Sequence, residues 1–274
     1  MVTHLKENAI EVSCDTPGPR VLLACSIKSG STYVSRILGR YLDVPVPDIL
    51  DYYGYREQNL HDWNFTPEIG SRFVLQLHIK PYPPHVRLIE QHRMRVVHLW
   101  RNLGDAILSL DDHILKEHWE TSSVFIDNEA DYRVLPADER HRFLIRYALP
   151  WYVSFHLAWR GMGNPEWLIR CKYEDMVRNR SIFFARIIEH IQPACDLLRL
   201  QATLDATVDR ARFNVGVAGR SIEGLSEGNK LLLERMLLEH PHDLTELLHE
   251  LPWWPTNSQP AADRMYRQAF VPRL

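Results

Sequence analysis

The chain has 274 residues, and its 32 lysines and arginines against 35 aspartates and glutamates give a formal charge of −3. This near-neutral balance argues against bulk binding to nucleic acid or anionic membranes, which usually requires a strongly basic surface. No apolar run approaches the ~20 residues of a membrane span, and residues 1–20 lack the apolar core of a signal peptide. We therefore expect a cytoplasmic protein without a membrane span. Its cysteines lack CxxC spacing and are predicted to be reduced, mostly buried thiols: Cys14, Cys25, Cys171 and Cys195.

Short apolar runs bounded by turn-forming or charged residues predict buried strands. They lie at Val21–Ile27, Phe73–Leu77, Arg95–Trp100 and Trp167–Cys171. Segments with helical periodicity lie between and after these runs. The alternation predicts an α/β fold, a three-layer arrangement in which helices flank both faces of a parallel sheet. The length fits one domain over residues 1–274.

The helices are predicted from apolar stripes. One stripe follows the first strand, from Tyr33 to Leu42, and another follows the third strand, from Leu103 to Ile114, with Asn102 as its N-cap. Two irregular regions, residues 43–70 and 119–136, are interpreted as insertions over one face of the sheet. Further helices are predicted at Asp138–Gly161, Arg180–Gln192 and Glu227–Leu238.

The first predicted strand runs into the turn Lys28-Ser29-Gly30-Ser31-Thr32-Tyr33 and then into a helix. A helix N-terminus carries unpaired N–H groups and partial positive charge, so such a turn can wrap an anion. The lysine and the hydroxyls add to a cradle for a phosphate-like group. A tight turn with a solvated lysine and a serine cap is the alternative. The ATP/GTP-binding pattern G-x-x-x-x-G-K-[ST] is not matched, because Lys28 precedes Gly30.

Arg101 directly follows the third predicted strand and precedes the helix that carries Ser109. Seven residues at 100° each return to within about 20° of the start, so Ser109 shares a helix face with Asn102. Arg101 and Ser109 can therefore converge on one anion. The alternative is an ordinary capped helix with a surface arginine.

His78 follows the second predicted strand, at the carboxyl edge where open parallel sheets form their ligand crevice. A histidine there can take the proton of an attacking hydroxyl, because imidazole titrates near neutral pH. Most of the 14 histidines are expected to be structural, but this position favours a base. After the fourth strand, Glu174 and Asp175 suit either a magnesium ligand, as in a kinase, or a helix cap.

Two of these segments resemble signatures of sulfotransferases that use 3′-phosphoadenosine 5′-phosphosulfate (PAPS). Residues 28–33 are similar to the family's PKSGTTW loop, which wraps the 5′-phosphosulfate. The run from Arg101 to Ser109 resembles R-N-P-x-D-x-x-x-S, whose arginine and serine bind the 3′-phosphate. Leu103 replaces the proline of that pattern. The two signatures occur in the family's order, each at a strand end.

Two further segments carry the resemblance along the chain. The segment around His78 resembles K-T-H-L-P, whose histidine is the catalytic base, with Gln76 in place of the lysine. Lys80 is a candidate to replace that charge. The run from Tyr173 resembles Y-E-D-M, whose tyrosine contacts the adenine, and Tyr33 offers a second aromatic face to that ring.

The largest departure from the family lies in residues 211–220, ARFNVGVAGR. The family has R-K-G-x-x-G-D-W here, and its arginine and lysine hold the 3′-phosphate. Those two positions are Asn214 and Val215 in this chain, whereas Gly216 keeps the family spacing. Arg212 or Arg220 is the candidate replacement.

The resemblance implies a fold like that of P-loop nucleoside-triphosphate hydrolases. It also implies transfer of a sulfuryl group from PAPS to a hydroxyl or amine of a small-molecule or glycolipid acceptor. His78 would be the base and Lys28 would stabilise the leaving group, with no metal required. The alternatives are an ATP-dependent small-molecule kinase of related fold and a non-catalytic nucleotide-binding relative. The implied donor-binding residues are Lys28, Ser29, Gly30, Ser31, Thr32, Tyr33, Arg101, Ser109, Tyr173, Arg212 and Gly216.

The sequence leaves two properties open. One is the acceptor: the first insertion holds an aromatic cluster that either packs internally or lines an acceptor pocket. The other is the oligomeric state, a homodimer included. The cluster comprises Tyr52, Tyr53, Tyr55, Trp63 and Phe65.

Overall fold

The computed structural model describes residues 18–47, 58–62, 65, 71–116, 129–207 and 217–254. The strands are β1 (Arg20–Cys25), β2 (Phe73–Leu77), β3 (Arg95–Trp100) and β4 (Leu168–Lys172). The helices are α1 (Ser31–Leu42), α2 (Pro83–Gln91), α3 (Leu103–Lys116), α4 (Glu129–Val134), α5 (Ala137–Tyr147), α6 (Leu149–Gly161), α7 (Tyr173–Arg178), α8 (Arg180–Ile191), α9 (Leu197–Ala206), α10 (Ser221–Gly224), α11 (Glu227–Leu238) and α12 (Thr245–His249).

The four strands of the described chain form one parallel sheet in the order β2-β1-β3-β4. Side chains alternate between its faces, as strand geometry requires. Phe73, Leu75 and Leu77 enter the core shared with α3, α5 and α6, whereas Val74 enters the core shared with α1 and α8. The parallel sheet flanked by helices confirms the predicted α/β fold.

The strand predictions are confirmed to within two residues, and Glu227–Leu238 is a helix with the predicted bounds. The Asn102 cap is also confirmed, because its Oδ1 accepts a hydrogen bond from Asp105 N at 3.2 Å. The single helix predicted over Asp138–Gly161 is wrong: the chain forms α5 and α6, with a break at Ala148. Pro150 explains the break, since it has no N–H to donate to the carbonyl of residue 146.

The predicted insertions lie only in part within the described residues. Tyr52, Tyr53, Tyr55 and Trp63 lie outside them, whereas Phe65 stacks on His92 with ring centroids 3.8 Å apart. In the second region, residues 129–134 are helical rather than irregular. No helix within the described ranges is long and apolar enough to cross a membrane.

The cysteines within the described ranges are free thiols. Cys25 and Cys171 are buried, as predicted, and Cys195 is half-buried. Cys14 lies outside the described residues.

Candidate functional site

The topology creates a crevice at the carboxyl edge of the sheet, between β1 and β3. These strands are neighbours, but α1, which follows β1, packs on one face, and α3, which follows β3, packs on the other. Loops that diverge in this way open a crevice at the strand ends, where open α/β sheets bind ligands. The turn after β1 and Arg101 after β3 therefore border the same crevice.

The turn after β1 is held in a conformation that suits an anion cradle. Lys28 and Gly30 both have positive φ, 63° and 81°, and Gly30 is the N-cap of α1 without a side-chain cap. The first-turn N–H groups of α1 are thus left to another acceptor. The Ser29 hydroxyl donates to Ser26 O at 2.7 Å and braces the turn from inside. Ser29 therefore contributes its backbone rather than its hydroxyl to the crevice.

The three residues that open α1 differ in exposure. Ser31 is buried, Thr32 is half-buried, and Tyr33 is buried in the core between α1 and α8. The Tyr33 ring packs edge-on against Phe184, with centroids 6.0 Å apart. Much of its surface is therefore used in core packing, and the adenine contact suggested for it stays a prediction.

Arg101 and Tyr173 form a stacked pair at the crevice. The Arg101 guanidinium carbon lies 4.2 Å from the centroid of the Tyr173 ring, and both side chains are buried. The guanidinium donates to Lys28 O at 3.4 Å and to Val217 O at 3.3 Å. Its Nε–H is buried and has no acceptor among the described residues. Burial raises the pKa of Tyr173, while the charge of Arg101 acts in the opposite direction.

Asp105 is a site residue that was not singled out from the sequence. Its fully buried carboxylate accepts from Gly219 N at 2.6 Å, from Ser221 N at 2.9 Å and from Ser221 Oγ at 2.6 Å. One oxygen also lies 3.8 Å from the Arg101 guanidinium. Asp105 thereby joins the Gly219 turn to the start of α3.

The predicted 3′-phosphate residues are only partly located. Arg220 forms an ion pair with Asp112 of α3 at 2.9 Å, so its charge is already paired in this structure. Ser109 is buried on α3. Arg212 and Gly216 lie outside the described residues, together with the two positions at which the family's cations are missing.

Glu174 connects the ends of β3 and β4. Its Oε1 accepts a hydrogen bond from Asn102 N at 3.0 Å, and burial raises the pKa of its carboxyl group. This contact gives Glu174 a structural role in the described chain, but it reaches Asn102 instead of capping the helix that follows, whose N-cap is Lys172.

His78 is held in one tautomer by a hydrogen bond to the backbone. Its Nδ1 lies 2.8 Å from Cys25 O, so this nitrogen carries the hydrogen and Nε2 keeps its lone pair. Burial lowers the pKa of His78, with the charge of Lys28 acting in the same direction and the Cys25 carbonyl opposing both. The imidazole is therefore neutral near pH 7 with an acceptor nitrogen, as a general base requires. Burial raises the pKa of the adjacent Cys25 thiol to about 12, so that the thiol stays protonated.

Two contacts that brace the site were not found from the sequence. The Tyr152 hydroxyl, on α6, donates to Ile27 O at 3.1 Å and supports the turn from below. Gln58 Oε1 accepts from His78 N at 2.7 Å. Both bring together residues that are distant in the sequence, and no local pattern signals them.

The chain is similar in fold to solved sulfotransferase structures. Over 86% of this chain and 87% of the other, it superposes on mouse sulfotransferase SULT7A1 complexed with PAP, with a TM-score of 0.60 at 14% identity. It also superposes on retinol dehydratase in complex with androsterone and PAP, over 89% and 83% of the two chains, with a TM-score of 0.53 at 12% identity. No protein-family model and no curated protein sequence matches the chain. At such low identity the likeness establishes the α/β fold.

Proposed function

We propose that the protein transfers a sulfuryl group from PAPS to a hydroxyl or amine of a small-molecule or glycolipid acceptor. The observation that carries this proposal is the Arg101 Nε–H, a buried cationic donor that has no acceptor among the described residues, beside the N-terminus of α1, which has no side-chain cap. A buried charged donor that makes no hydrogen bond lowers stability, and a bound anion would accept that bond. PAP, present in both neighbours, is the product that PAPS leaves behind.

The residues present suit the phosphates of such a donor. We assign the 5′-phosphosulfate to residues 28–32, where Lys28 adds charge to the helix N-terminus. We assign the 3′-phosphate to Arg101 and Ser109, with Tyr173 placed for the adenine. Arg220 can join them only by leaving Asp112, from which it is now 2.9 Å away. The donor site then consists of the turn, the start of α3 and the start of α7.

His78 and Lys28 carry the chemistry in this proposal. PAPS supplies an activated sulfuryl group, whose S–O bond to the 5′-phosphate breaks as the bond between sulfur and the acceptor forms. His78 Nε2 takes the proton that the acceptor hydroxyl or amine loses. Lys28 and the N–H groups of α1 hold the negative charge that develops on the departing phosphate oxygen. Positioning and electrostatics do most of the work in such in-line transfers, and none of these steps calls for a metal. We extend the proposal to one cytoplasmic catalytic domain over residues 1–274.

Binding of 3′,5′-diphosphoadenosine (PAP) tests the donor site. At 100 times its dissociation constant, PAP should stabilise the protein by about 2.7 kcal/mol, or roughly 5–11 °C in melting temperature. The Arg101→Ala variant should lose the shift. Arg95→Ala is the matched control, because Arg95 lies at the other end of β3 and pairs with Glu166 instead. No shift at millimolar PAP, or a larger shift with magnesium and ATP, would refute the proposal.

Turnover tests the base. His78→Ala should lower kcat by about 10²–10⁴-fold while PAP binding is unchanged, because the ring acts on the acceptor rather than on the donor. Unchanged turnover would assign proton transfer to another group. An unchanged biological activity in both His78→Ala and Lys28→Ala would favour the non-catalytic relative.

A further inference from the structure

The backbone N–H of His78 points away from the sheet that carries the proposed base. β2 is an edge strand of the described sheet, and successive N–H groups along it point to opposite sides. Phe73 N donates to Pro19 O, on the β1 side, at 3.1 Å. Val74 N donates to Pro45 O, on the outer side, at 3.0 Å. His78 lies four residues beyond Val74, so its N–H also points outward, where the described sheet offers no strand to accept it.

Gln58 supplies the acceptor that the sheet does not. Its side-chain Oε1 accepts from His78 N at 2.7 Å, and the glutamine is half-buried. Gln58 belongs to the first insertion predicted from the sequence, 20 residues before the histidine. A hydrogen bond of this length and kind fixes the main chain from which the imidazole projects.

The imidazole of His78 is held from the other side by β1. Its Nδ1 donates to Cys25 O at 2.8 Å, and the Cys25 thiol donates to Leu77 O at 3.5 Å. One hydrogen bond therefore fixes the backbone of the histidine, and another fixes its ring. Together they set the position of Nε2, the nitrogen that keeps its lone pair.

A second contact holds the segment that carries Gln58. Leu60, two residues further on, is only 2% exposed, and its N–H donates to His85 Nε2 at 3.4 Å. His85 Nδ1 donates in turn to Lys80 O at 2.7 Å, in the segment that follows His78. One tautomer of His85 satisfies both contacts, with the hydrogen on Nδ1 and the lone pair on Nε2. The main chain of Gln58 is therefore docked against the segment that contains the base.

We propose that Gln58 is a positioning residue for the reaction, which holds the backbone of His78 so that Nε2 stays where it can take the proton of the acceptor. Gln58 acts through His78 and not on the substrate. A displacement of about 1 Å in a reacting group can lower a rate by about 10²-fold, so a bond to the main chain of the base matters for turnover. The role in turnover rests on the proposed function, whereas the hold on the ring rests on the contacts of Gln58 and Cys25.

Imidazole ¹H–¹⁵N NMR without nucleotide tests the hold on the ring. His78→Ala assigns the His78 signals among the 14 histidines. The wild type should show a single tautomer, with the hydrogen on Nδ1. Gln58→Met keeps the length of the side chain but removes the acceptor, and it should give mixed or exchanging tautomers because the bond to Cys25 O loosens. Gln58→Glu returns an acceptor oxygen and should restore the single tautomer.

Turnover tests the consequence for the reaction. Gln58→Met should lower kcat by about 10–10²-fold, and Gln58→Glu should recover most of this loss. The melting shift with PAP should be unchanged in both, because neither variant alters the donor site. Gln201→Met is the matched control, since it removes an exposed glutamine of α9 that contacts Ser181 and Asp205 instead. Melting temperatures show which variants are folded, and Gln58→Ala replaces Gln58→Met if the latter is not.

The outcomes separate this inference from the proposed function. Ring signals that are unchanged in the folded variant without the acceptor, or changed equally in Gln58→Glu, would overturn it. An unchanged kcat in Gln58→Met would also overturn it if His78→Ala abolishes turnover. Altered ring signals that Gln58→Glu reverses support the hold on His78 even if PAP fails to bind and no sulfuryl transfer is detected, a result that refutes only the proposed function.

Discussion

Replacing Gly30 by alanine tests the geometry of the turn in two separable ways. Gly30 has φ 81° and ψ 16°, and a left-handed conformation costs a residue with a Cβ about 1–2 kcal/mol. A Cβ would also lie 2.9 Å from two carbons of the Tyr173 ring. That ring is stacked under Arg101 and cannot move freely, and overpacking of this kind costs about 1–3 kcal/mol. We expect Gly30→Ala to lower the free energy of unfolding by about 2–5 kcal/mol.

Gly163→Ala is the matched control for backbone strain. Gly163 has φ 63°, but a Cβ there would meet no atom of the described residues within 4 Å. The control should therefore cost only the backbone part, about 1–2 kcal/mol. Urea unfolding of both variants gives the two free energies, and their difference is the contribution of the Tyr173 contact. The melting shift with PAP should be retained in Gly163→Ala and reduced in Gly30→Ala, because the Tyr173–Arg101 stack moves.

The result that would refute this reasoning is equality of the two variants. Suppose that Gly30→Ala lowers the free energy of unfolding no more than Gly163→Ala and binds PAP as tightly as the unmodified chain. In that case the Tyr173 ring moves aside without a measurable loss of stability or binding. The close contact between the ring and the turn would then not help to shape the anion site.

Two stability predictions concern buried groups outside the site. Asp111 accepts from Tyr132, Arg140 and His141, and these contacts lower its pKa from 3.8 to about 2 against the opposing effect of burial. The ionised Asp111 stabilises the fold by about 2 kcal/mol above pH 3.8, and this stabilisation is lost as the pH falls towards 2. The unfolding free energies of the wild type and of Asp111→Asn should therefore converge by about 1 kcal/mol between pH 7 and pH 3. A difference that stays constant over this range would contradict the prediction. His98 is buried with both ring nitrogens unpaired among the described residues, and burial lowers its pKa well below 6.5. Below pH 6.5 the histidine is protonated in the unfolded chain but stays neutral in the folded one, so the wild type loses stability as the pH falls. Relative to the wild type, His98→Leu should therefore gain about 2 kcal/mol in unfolding free energy between pH 7 and pH 5. Urea unfolding at each pH measures this, and equal pH dependence of the two proteins would refute the prediction.

The parts of the fold that followed from sequence are those set by local pattern. Central parallel strands are buried on both faces and therefore appear as short continuous apolar runs, as β1 and β3 do. Because all four strands are parallel, their carboxyl ends meet at one edge. Placing Lys28, His78, Arg101 and Tyr173 at strand ends was thus enough to predict that they border one crevice.

The parts that did not follow depend on contacts between distant segments. Asp105 binds Gly219 and Ser221, which are 114 and 116 residues away in the chain. In sequence it has the signature of an ordinary first-turn acid, which is favourable at any helix N-terminus. The Tyr152 contact to Ile27 is similar, because helical periodicity predicts which face is buried but not which hydroxyl meets which carbonyl.

The hydrogen-bond donors at the crevice favour an anionic ligand, even though the chain as a whole carries −3. Two carboxylates lie near Arg101, but among the described residues neither accepts a hydrogen bond from its guanidinium. The three donors on Asp105 hold that carboxylate towards the Gly219 turn, with the guanidinium at the longer distance of 3.8 Å. Burial raises the pKa of Glu174, which favours its neutral form. Within the described part of the crevice, the Arg101 Nε–H and the N-terminus of α1 therefore leave donors that an anion can meet, and a neutral nucleoside has no anionic group to offer them.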